Sequence, residues 1–260
     1  MAAAIEFSGV HLVVPGDENK GRALLDDVSL QLEAGTVTAL LGRSGSGKTT
    51  LLRMVNRLAV PTSGTVRVHG EDVAQKSVVE LRRGIGYVIQ DTGLFPHLTI
   101  ARNITMVPEL SGHPRQHFAE QVRQLLTAVG LDPARFAKRH PHQLSGGQRQ
   151  RVGLARALAA EPPILLMDEP FGALDPLTRA EMQDMVRGLL QRLRDRGQPK
   201  TVLLVTHDLD EAMYLADRIV LVCDGRIEAD LAPAEFLHSQ QHAVAEYVCA
   251  FHRGERKVTA

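Results

Sequence analysis

The chain has 260 residues, of which 44% are hydrophobic, and its 30 basic side chains balance 30 acidic ones. This length suits one compact core with lobes, and the charge balance excludes a global attraction to nucleic acid or anionic lipid. The two cysteines, Cys223 and Cys249, form neither a metal-ligand spacing nor a disulfide framework, which is typical of a reducing cytoplasm. The first residues lack the features of a signal peptide, and no apolar run reaches the ~20 residues of a spanning helix.

Apolar runs and helical patterns, taken in chain order, predict an α/β fold. Residues 5–33 and 64–73 are expected to form short strands and turns of an antiparallel layer. Short apolar runs bounded by polar or turn residues predict buried strands of a mostly parallel sheet. These runs are residues 36–41, 85–89, 164–167 and 201–205. The helical patterns between them are residues 49–58, 152–160 and 178–194.

The character of the sequence changes between Gln90 and Ser145. An amphipathic helix is predicted at residues 118–129, and five prolines interrupt the surrounding segments. We therefore predict a single domain in which a helical lobe is inserted into an α/β core. The core with its β layer is expected at about 1–90 and 156–242, the lobe at about 91–155, and a short tail at about 243–260.

A phosphate-binding motif follows the first buried strand. Residues 42–49, GRSGSGKT, match the pattern G-x-x-x-x-G-K-[ST] between a strand and a helix. Glycines let backbone N–H groups turn toward phosphate oxygens, and the helix N-terminus adds positive potential. Lys48 is predicted to reach the β- and γ-phosphates of ATP, and the Thr49 hydroxyl to bind Mg²⁺. The predicted ATP contacts are Gly42, Arg43, Ser44, Gly45, Ser46, Gly47, Lys48, Thr49 and Thr50. The alternative is a glycine-rich turn that binds nothing.

Two carboxylates, Asp168 and Glu169, follow the apolar run 164–167. Open α/β sheets bind ligands at the carboxyl ends of their strands. Asp168 is therefore predicted to hold Mg²⁺ through water, and Glu169 to polarise the attacking water. A strand that ends in Asp-Glu is weak evidence by itself, because a structural explanation is equally good. The pairing with the motif at Gly42 favours the catalytic interpretation.

A second glycine-containing helix start lies at residues 144–148, LSGGQ. Serine and two glycines at a helix N-terminus expose N–H groups that suit a second anion. The residues of this signature are Leu144, Ser145, Gly146, Gly147 and Gln148. Because one loop of the chain already suits the phosphates, the second loop raises the question of which chain's phosphate it meets.

The order of these motifs resembles that of the ABC transporter ATPases over nearly the whole chain. The other positions that match the family's order are Gln90, Asp175 and His207. The resemblance implies that two chains enclose two ATP molecules head to tail. Each γ-phosphate then lies between Lys48 of one chain and Ser145 and Gly147 of the other.

The resemblance also implies roles for the remaining motif residues. Gln90 would sense Mg²⁺ and the attacking water, and it would share the metal with Thr49 and Asp168. His207 would contact the γ-phosphate, and Asp175 would communicate across the dimer interface. A histidine after a strand is by itself more often a satisfied polar residue. Its place one helix after Asp168 favours the functional interpretation.

One position departs from the family pattern. The family carries an aromatic residue near the start of the chain that stacks on adenine, and alignment puts Val14 there, beside Val13 and near His11. Stacking of a base on an aromatic ring contributes ~1–3 kcal/mol in single-strand binders. We therefore expect weaker nucleotide affinity and weaker base discrimination, unless His11 substitutes for the ring.

Several segments resemble one group of bacterial importers. Exporters usually carry membrane spans in the same chain, whereas a separate subunit with a helical lobe resembles that of an importer. Residues 54–64, 85–90, 93–100, 103–104, 107–108 and 243–256 are most similar to ATPases that serve glycine betaine, choline and carnitine uptake. Larger members of that group continue into paired CBS domains. This chain stops before such domains, so the sequence predicts no sensing of ionic strength through them.

The resemblance also implies partners. These are a second copy of the chain, transmembrane permease subunits and, indirectly, an extracytoplasmic solute-binding protein, at the cytoplasmic face of the bacterial inner membrane. No nucleic acid is expected as a partner. Residues 91–103 are expected to help form the groove that receives a permease helix. Phe95, Pro96 and Leu98 are its apolar candidates, and the alternative is that they pack under the helical lobe.

Other functions stay open on the sequence alone. The chain could serve an importer of another small solute. A soluble ABC ATPase of DNA repair or ribosomes is disfavoured, because the chain has neither a coiled-coil insertion nor a second cassette. A nucleotide-binding scaffold without turnover is disfavoured by the intact Glu169 and His207.

Overall fold

The computed structural model describes residues 3–14 and 22–255, which form two compact units. The first is drawn from Met1–Val78 and Leu203–Ala260, and the second from Val79–Val202. The strands are β1 (Ala3–Val14), β2 (Arg22–Glu33), β3 (Val37–Leu41), β4 (Ser63–Val68), β5 (Glu71–Asp72), β6 (Ile85–Val88), β7 (Ile164–Asp168), β8 (Thr201–Thr206), β9 (Arg218–Cys223) and β10 (Arg226–Leu231). The α-helices are α1 (Lys48–Val55), α2 (Val78–Arg83), α3 (Ile100–Leu110), α4 (Phe118–Ala128), α5 (Pro133–Phe136), α6 (Gly146–Leu158), α7 (Pro176–Asp195), α8 (Leu209–Leu215), α9 (Pro233–His238) and α10 (His242–Glu255). Within the described ranges, no helix has both the length and the hydrophobicity to span a membrane.

The first unit contains an antiparallel sheet with the strand order β2-β1-β4-β5. In β1, Ile5 and Phe7 are buried at the two-residue spacing of a strand, but the next buried residue is Val10. The extra residue coincides with a slip in the β1–β2 register, where Gly9 has a φ of 54°. A bulge of this kind adds one residue to a strand without ending the ladder.

The prediction of short strands for residues 5–33 is wrong in length, because β1 and β2 each have 12 residues. The bulges interrupt the alternation of buried and exposed side chains on which a strand prediction depends. Residues 15–21, which the same prediction covers, lie outside the described residues. The predicted antiparallel layer itself is confirmed by the pairing of β1 with β2 and β4.

Parallel strands make up most of the remaining pairs. In the first unit β3 pairs with β9 in parallel, and β9 pairs with β10 antiparallel. In the second unit β6 pairs with β7 in parallel. All residues of β3 and β7 are buried, as expected of strands covered on both faces. The predicted α/β class with a mostly parallel sheet is confirmed. The hairpin of β9 and β10 was not among the predicted elements.

The helices of the second unit pack through narrow apolar stripes. Helix α3 contacts α4 and α6, and α6 also contacts α7. In α7 the buried residues are Met182, Val186 and Leu189, which the helical period brings to one face. Helix α6 begins at Gly146, which confirms the helix start predicted at residues 144–148; the cap overrides the poor helix propensity of two glycines, so the helix extends N-terminally of the pattern at 152–160. The predicted boundaries between core, lobe and tail stay a prediction.

A hydrophobic cluster in the first unit is centred on helices α8, α9 and α10 and on strands β3, β9 and β10. Its buried members are Ala39, Leu41, Leu209, Ala212, Ile219, Leu221, Ala229, Phe236 and Val244. Phe236 is the largest of them and has no exposed surface. The cluster therefore joins the strand before the phosphate-binding motif, which ends at Leu41, to the carboxyl-terminal helix.

Phe236→Ala is expected to lower the free energy of unfolding by about 3–5 kcal/mol, because the lost ring leaves a cavity in this cluster. The neighbouring Leu237 is 41% exposed and provides the matched control. Leu237→Ala is expected to cost about 1 kcal/mol or less. Urea unfolding followed by circular dichroism measures both values. Equal effects of the two variants would contradict the placement of this cluster.

Candidate nucleotide-binding site

The phosphate-binding motif forms a tight loop between β3 and α1 in the first unit. A Cβ atom at Gly42 would lie 2.2 Å from the carbonyl oxygen of Val222. Gly47 has a φ of 103°, and a Cβ atom there would lie 2.7 Å from Cδ2 of Leu25. Both positions therefore exclude a side chain, since such approaches are closer than van der Waals contact allows. The loop can keep this shape only with glycine at both places.

Lys48 lies inside this loop and is only 4% exposed. Its Nζ donates hydrogen bonds to the carbonyl oxygens of Gly42 and Arg43, each at 2.8 Å. The hydroxyl of Ser46 is buried in the same loop and has no hydrogen-bond partner among the described residues. Buried hydroxyls are nearly always paired, so an unpaired one needs an explanation. A buried ammonium beside an unpaired hydroxyl fits a phosphate chain bound in the loop.

The other motif residues lie at the rim and in the first helical turn. Arg43, Ser44 and Gly45 are exposed, whereas Thr49 and Thr50 are half-buried at the start of α1. The guanidinium of Arg43 pairs with the Glu246 carboxylate of α10 at 3.2 Å. The carboxyl-terminal helix thus contacts the motif directly, which no sequence pattern indicated.

In the second unit, β7 ends at the buried Asp168. The Tyr87 hydroxyl of the adjacent strand β6 donates a hydrogen bond to the Asp168 carboxylate at 3.3 Å. Glu169 follows, half-buried, with a φ of 45°. A non-glycine residue in this left-handed region costs of order 1 kcal/mol, and such strain is concentrated at functional sites. Tyr87 was missed because an aromatic residue in a buried strand looks like ordinary core.

The signature residues form the N-terminus of α6. Ser145 is the N-cap: its hydroxyl accepts from the Gln148 N–H at 3.2 Å, and the Gln148 side chain accepts from the Ser145 N–H at 3.0 Å. This reciprocal pair is a capping box. Leu144 is buried, Gly146 is exposed, and a Cβ atom at Gly147 would lie 2.5 Å from Cγ2 of Thr178. Gln148 therefore has a structural role, and the exposed Ser145 hydroxyl can still donate to an anion.

The segment after β6 is fastened to α6 by side chains outside the motifs. Gln90 is exposed, and its carbonyl oxygen accepts from Nε2 of Gln150 at 3.2 Å. The guanidinium of Arg156 donates to the carbonyl oxygens of Thr92 and Gly93, each at 2.6 Å. Burial lowers the pKa of Arg156 from its usual value. The helix that begins with the signature thus holds the residues that follow Gln90.

Asp175 and His207 both lie next to helix N-termini. Asp175 is exposed and caps α7, accepting from the Thr178 N–H at 3.1 Å; its hydrogen bonds to Thr178 lower the pKa of its carboxyl. His207 is exposed after β8, and its carbonyl oxygen accepts from the Tyr247 hydroxyl at 2.7 Å. The cap explains Asp175 structurally, and its predicted role across a dimer interface stays a prediction.

The predicted site residues divide between the two units. The phosphate-binding motif and His207 belong to the first unit. Gln90, the signature, Asp168 with Glu169, and Asp175 belong to the second. Over the part of the chain that the structure describes, no group of three or more His, Cys, Asp or Glu side chains could hold a metal ion. A groove of about 750 Å³ between α4 and α7 is lined by none of the predicted site residues.

Comparison with known proteins defines the class. The family model described as "ABC transporter" matches residues 25–172, and the chain belongs to this family. It is 46% identical over 226 residues to the glycine betaine/carnitine/choline transport ATP-binding protein OpuCA of Bacillus subtilis, covering 87% of this chain and 58% of that protein. It is 48% identical over 215 residues to the sulfate/thiosulfate import ATP-binding protein CysA 2 of Shewanella oneidensis, covering 81% of this chain and 58% of that protein. The chain therefore spans less than two thirds of the length of either relative.

Among solved structures, the ATP-binding cassette MJ0796 in a dimeric post-hydrolysis state bound to ADP and Pi is similar. The TM-score is 0.77 at 31% sequence identity, with 88% of this chain and 98% of that chain covered. The expected family and the expected fold class are both confirmed.

Arg156→Met is expected to loosen the segment after β6, because two charge-assisted hydrogen bonds worth ~1–3 kcal/mol are lost. The Thr92 and Gly93 amides, which donate to carbonyls within that segment, should exchange hydrogen about 10-fold faster or more. Arg149 lies on the same helix and donates to the carbonyl of Leu144 instead. Arg149→Met should leave exchange at the two amides unchanged. Hydrogen exchange measured by NMR compares the two variants. Equal exchange rates at the Thr92 and Gly93 amides in both would contradict the role of Arg156 in holding this segment.

Proposed function

We propose that this chain is the ATP-hydrolysing subunit that powers solute import through a membrane permease. The proposed solutes are quaternary-amine osmoprotectants such as glycine betaine or choline. The observation that carries the proposal is a loop that buries both Lys48 and the Ser46 hydroxyl, for which the described residues offer no hydrogen-bond partner. Membership of the ABC transporter family and similarity to OpuCA support coupling to transport.

In the proposed mechanism, residues 42–50 bind the phosphates of ATP. The Lys48 ammonium, now hydrogen-bonded to two loop carbonyls, turns to the β- and γ-phosphates and offsets their charge. Thr49, Gln90 and, through water, Asp168 offer the oxygen ligands that Mg²⁺ prefers. When bound, the metal neutralises charge on the phosphates. A site of this kind keeps several waters and needs few carboxylates.

Glu169 is proposed to accept the proton of the attacking water. Its left-handed backbone holds the carboxylate directly after the strand that ends at Asp168. His207 is proposed to contact the γ-phosphate, where negative charge must be stabilised as the bond to the leaving group breaks. A carboxylate as proton acceptor and a donor at the transferred phosphate are the groups that this hydrolysis requires.

The signature is proposed to complete the site of a second copy of the chain. Ser145 and Gly147 lie at a capped helix N-terminus, where the exposed Ser145 residue and the positive potential of the helix suit a γ-phosphate. Leu144, Gly146 and Gln148 shape that terminus, and Asp175 is proposed to communicate between the chains. The other proposed partners are permease subunits and an extracytoplasmic solute-binding protein. The proposed location is peripheral, at the cytoplasmic face of a bacterial inner membrane.

An importer of another small solute is the second candidate, because the chain is 48% identical to the sulfate/thiosulfate protein over 215 residues, close to its 46% over 226 residues with OpuCA. Both candidates can be tested with the complex that co-purifies from native membranes, reconstituted in proteoliposomes with its binding protein. We expect ATP-dependent uptake of labelled glycine betaine, choline or carnitine and none of sulfate. Uptake of sulfate alone would favour the second candidate. Uptake that proceeds without ATP would contradict both.

Glu169→Gln is expected to leave ATP binding intact and to lower kcat by roughly 10²–10⁴-fold, because an amide cannot accept the proton. ATP should then persist at the site and hold two chains together. The variant with ATP should therefore elute as a dimer in size-exclusion chromatography. A rate equal to that of the unaltered chain would contradict the role of Glu169.

A second substitution in the same background tests the shared site. Glu169→Gln combined with Ser145→Arg should still bind ATP through its own phosphate loop but elute as a monomer. The bulky side chain would occupy the place of the partner's γ-phosphate. A dimer formed equally well by the double variant would contradict the head-to-tail arrangement.

A further inference from the structure

Helix α10 is anchored in the first unit by its apolar face. Val244 is fully buried in the hydrophobic cluster around Phe236, and Tyr247, Val248 and Phe251 pack against the same cluster. That cluster contains Leu41, which directly precedes the phosphate-binding motif, and residues of α8, which begins two residues after His207. The helix is therefore fixed relative to both segments that the first unit contributes to the site.

Two adjacent residues of α10 make polar contacts with these segments. The Glu246 carboxylate pairs with Arg43 of the motif at 3.2 Å. The Tyr247 hydroxyl donates to the carbonyl oxygen of His207 at 2.7 Å. The ion pair is 73% and 59% exposed on its two side chains. Exposed ion pairs contribute little, whereas Tyr247 is half-buried and its hydroxyl bonds to the backbone of His207.

The Tyr247 hydroxyl is suited to remain a hydrogen-bond donor over a wide range of pH. Burial, followed by the charge of Asp208, raises the pKa of Tyr247 to about 12. The fold therefore favours the neutral hydroxyl, and the hydrogen bond persists until the pH rises toward that value. Across the neutral range the contact does not titrate.

The residues on either side of His207 are already fixed by their own bonds. The Thr206 hydroxyl donates to the buried Glu211 carboxylate at 2.6 Å and accepts from the Asp208 N–H. Asp208 caps α8 through the amides of Asp210 and Glu211. Tyr247 adds a bond at the His207 carbonyl itself, from an element distant in the sequence. The backbone from which the imidazole projects is thus held on both sides.

We propose that Tyr247 is a positioning residue for ATP hydrolysis, which holds the His207 backbone so that the imidazole meets the γ-phosphate. The proposal rests on the proposed function, because it gives His207 its role there. A displacement of ~1 Å at a reacting group can cost up to about 10²-fold in rate. Tyr247→Phe removes the hydroxyl and keeps the ring in its packing. We expect kcat for ATP hydrolysis by the full chain to fall about 10-fold, with ATP binding unchanged.

The matched control is Val248→Ala, which weakens the packing of α10 but removes no polar contact with the site. It should leave kcat within about twofold of the unaltered chain. If both variants lose the same fraction of kcat, Tyr247 acts through general packing and the proposal is wrong. If the unaltered chain hydrolyses ATP and Tyr247→Phe does so equally fast, the proposal fails while the proposed function stands. An unaltered chain without ATPase activity would overturn both.

An independent readout follows the hydrogen bond itself. His207-Asp208 is the only His-Asp pair in the sequence, so labelling histidine with ¹³C at the carbonyl and aspartate with ¹⁵N gives a single HNCO signal. That signal reports the His207 carbonyl. We expect Tyr247→Phe to shift its ¹³C frequency and Val248→Ala to leave it in place. An unshifted signal in Tyr247→Phe would show that the hydroxyl does not bond to His207 and would overturn the proposal.

Discussion

The burial of the Lys48 ammonium inside a loop of glycines is the constraint on which the candidate site depends. A cation removed from water needs acceptors at hydrogen-bond distance, and the Gly42 and Arg43 carbonyls supply two. They can do so only because the backbone passes too close to β9 and β2 for side chains at Gly42 and Gly47. The same strands are fixed by the hydrophobic cluster and the antiparallel sheet. Packing far from the loop thus sets the position of one charged atom.

Contacts from outside the motifs hold each of the proposed reacting segments. Tyr87 bonds to Asp168, Arg156 holds the carbonyls after Gln90, and Tyr247 holds the carbonyl of His207. Two of these three contacts end on backbone oxygens. A backbone carbonyl accepts the same hydrogen bond whatever side chain its residue carries, so the contact survives substitution of the acceptor residue. It is lost when the donor changes. The donor side chains therefore determine where these proposed reacting segments lie.

Motif residues shape their own backbone, whereas these donor side chains hold a backbone elsewhere in the chain. This difference explains what the sequence could and could not predict. Motifs such as GRSGSGKT and LSGGQ constrain local backbone, and the strands and helices beside them, including the start of α6, lie within a few residues of the predicted bounds. The length of β1 and β2 was missed because a bulge at Gly9 shifts the buried face by one residue. Arg156 and Tyr247 were missed for another reason. Each lies on an amphipathic helix, and only the folded chain shows which backbone oxygen its polar end meets.

At the signature and at Asp175 a structural role coincides with a proposed functional one, and this affects how substitutions there are interpreted. Ser145 caps α6 with a reciprocal bond to Gln148, and Asp175 caps α7 through Thr178. Loss of a cap destabilises a helix whether or not a ligand binds at its end. A substitution that removes the cap therefore lowers activity by two routes that a rate alone does not separate. Ser145→Arg also removes the cap, so persistent ATP binding in this variant shows only that a frayed α6 leaves the chain's own phosphate loop intact. Failure of dimer formation while nucleotide binding persists then places the effect of the substitution on association between chains and not on the chain's own phosphate loop.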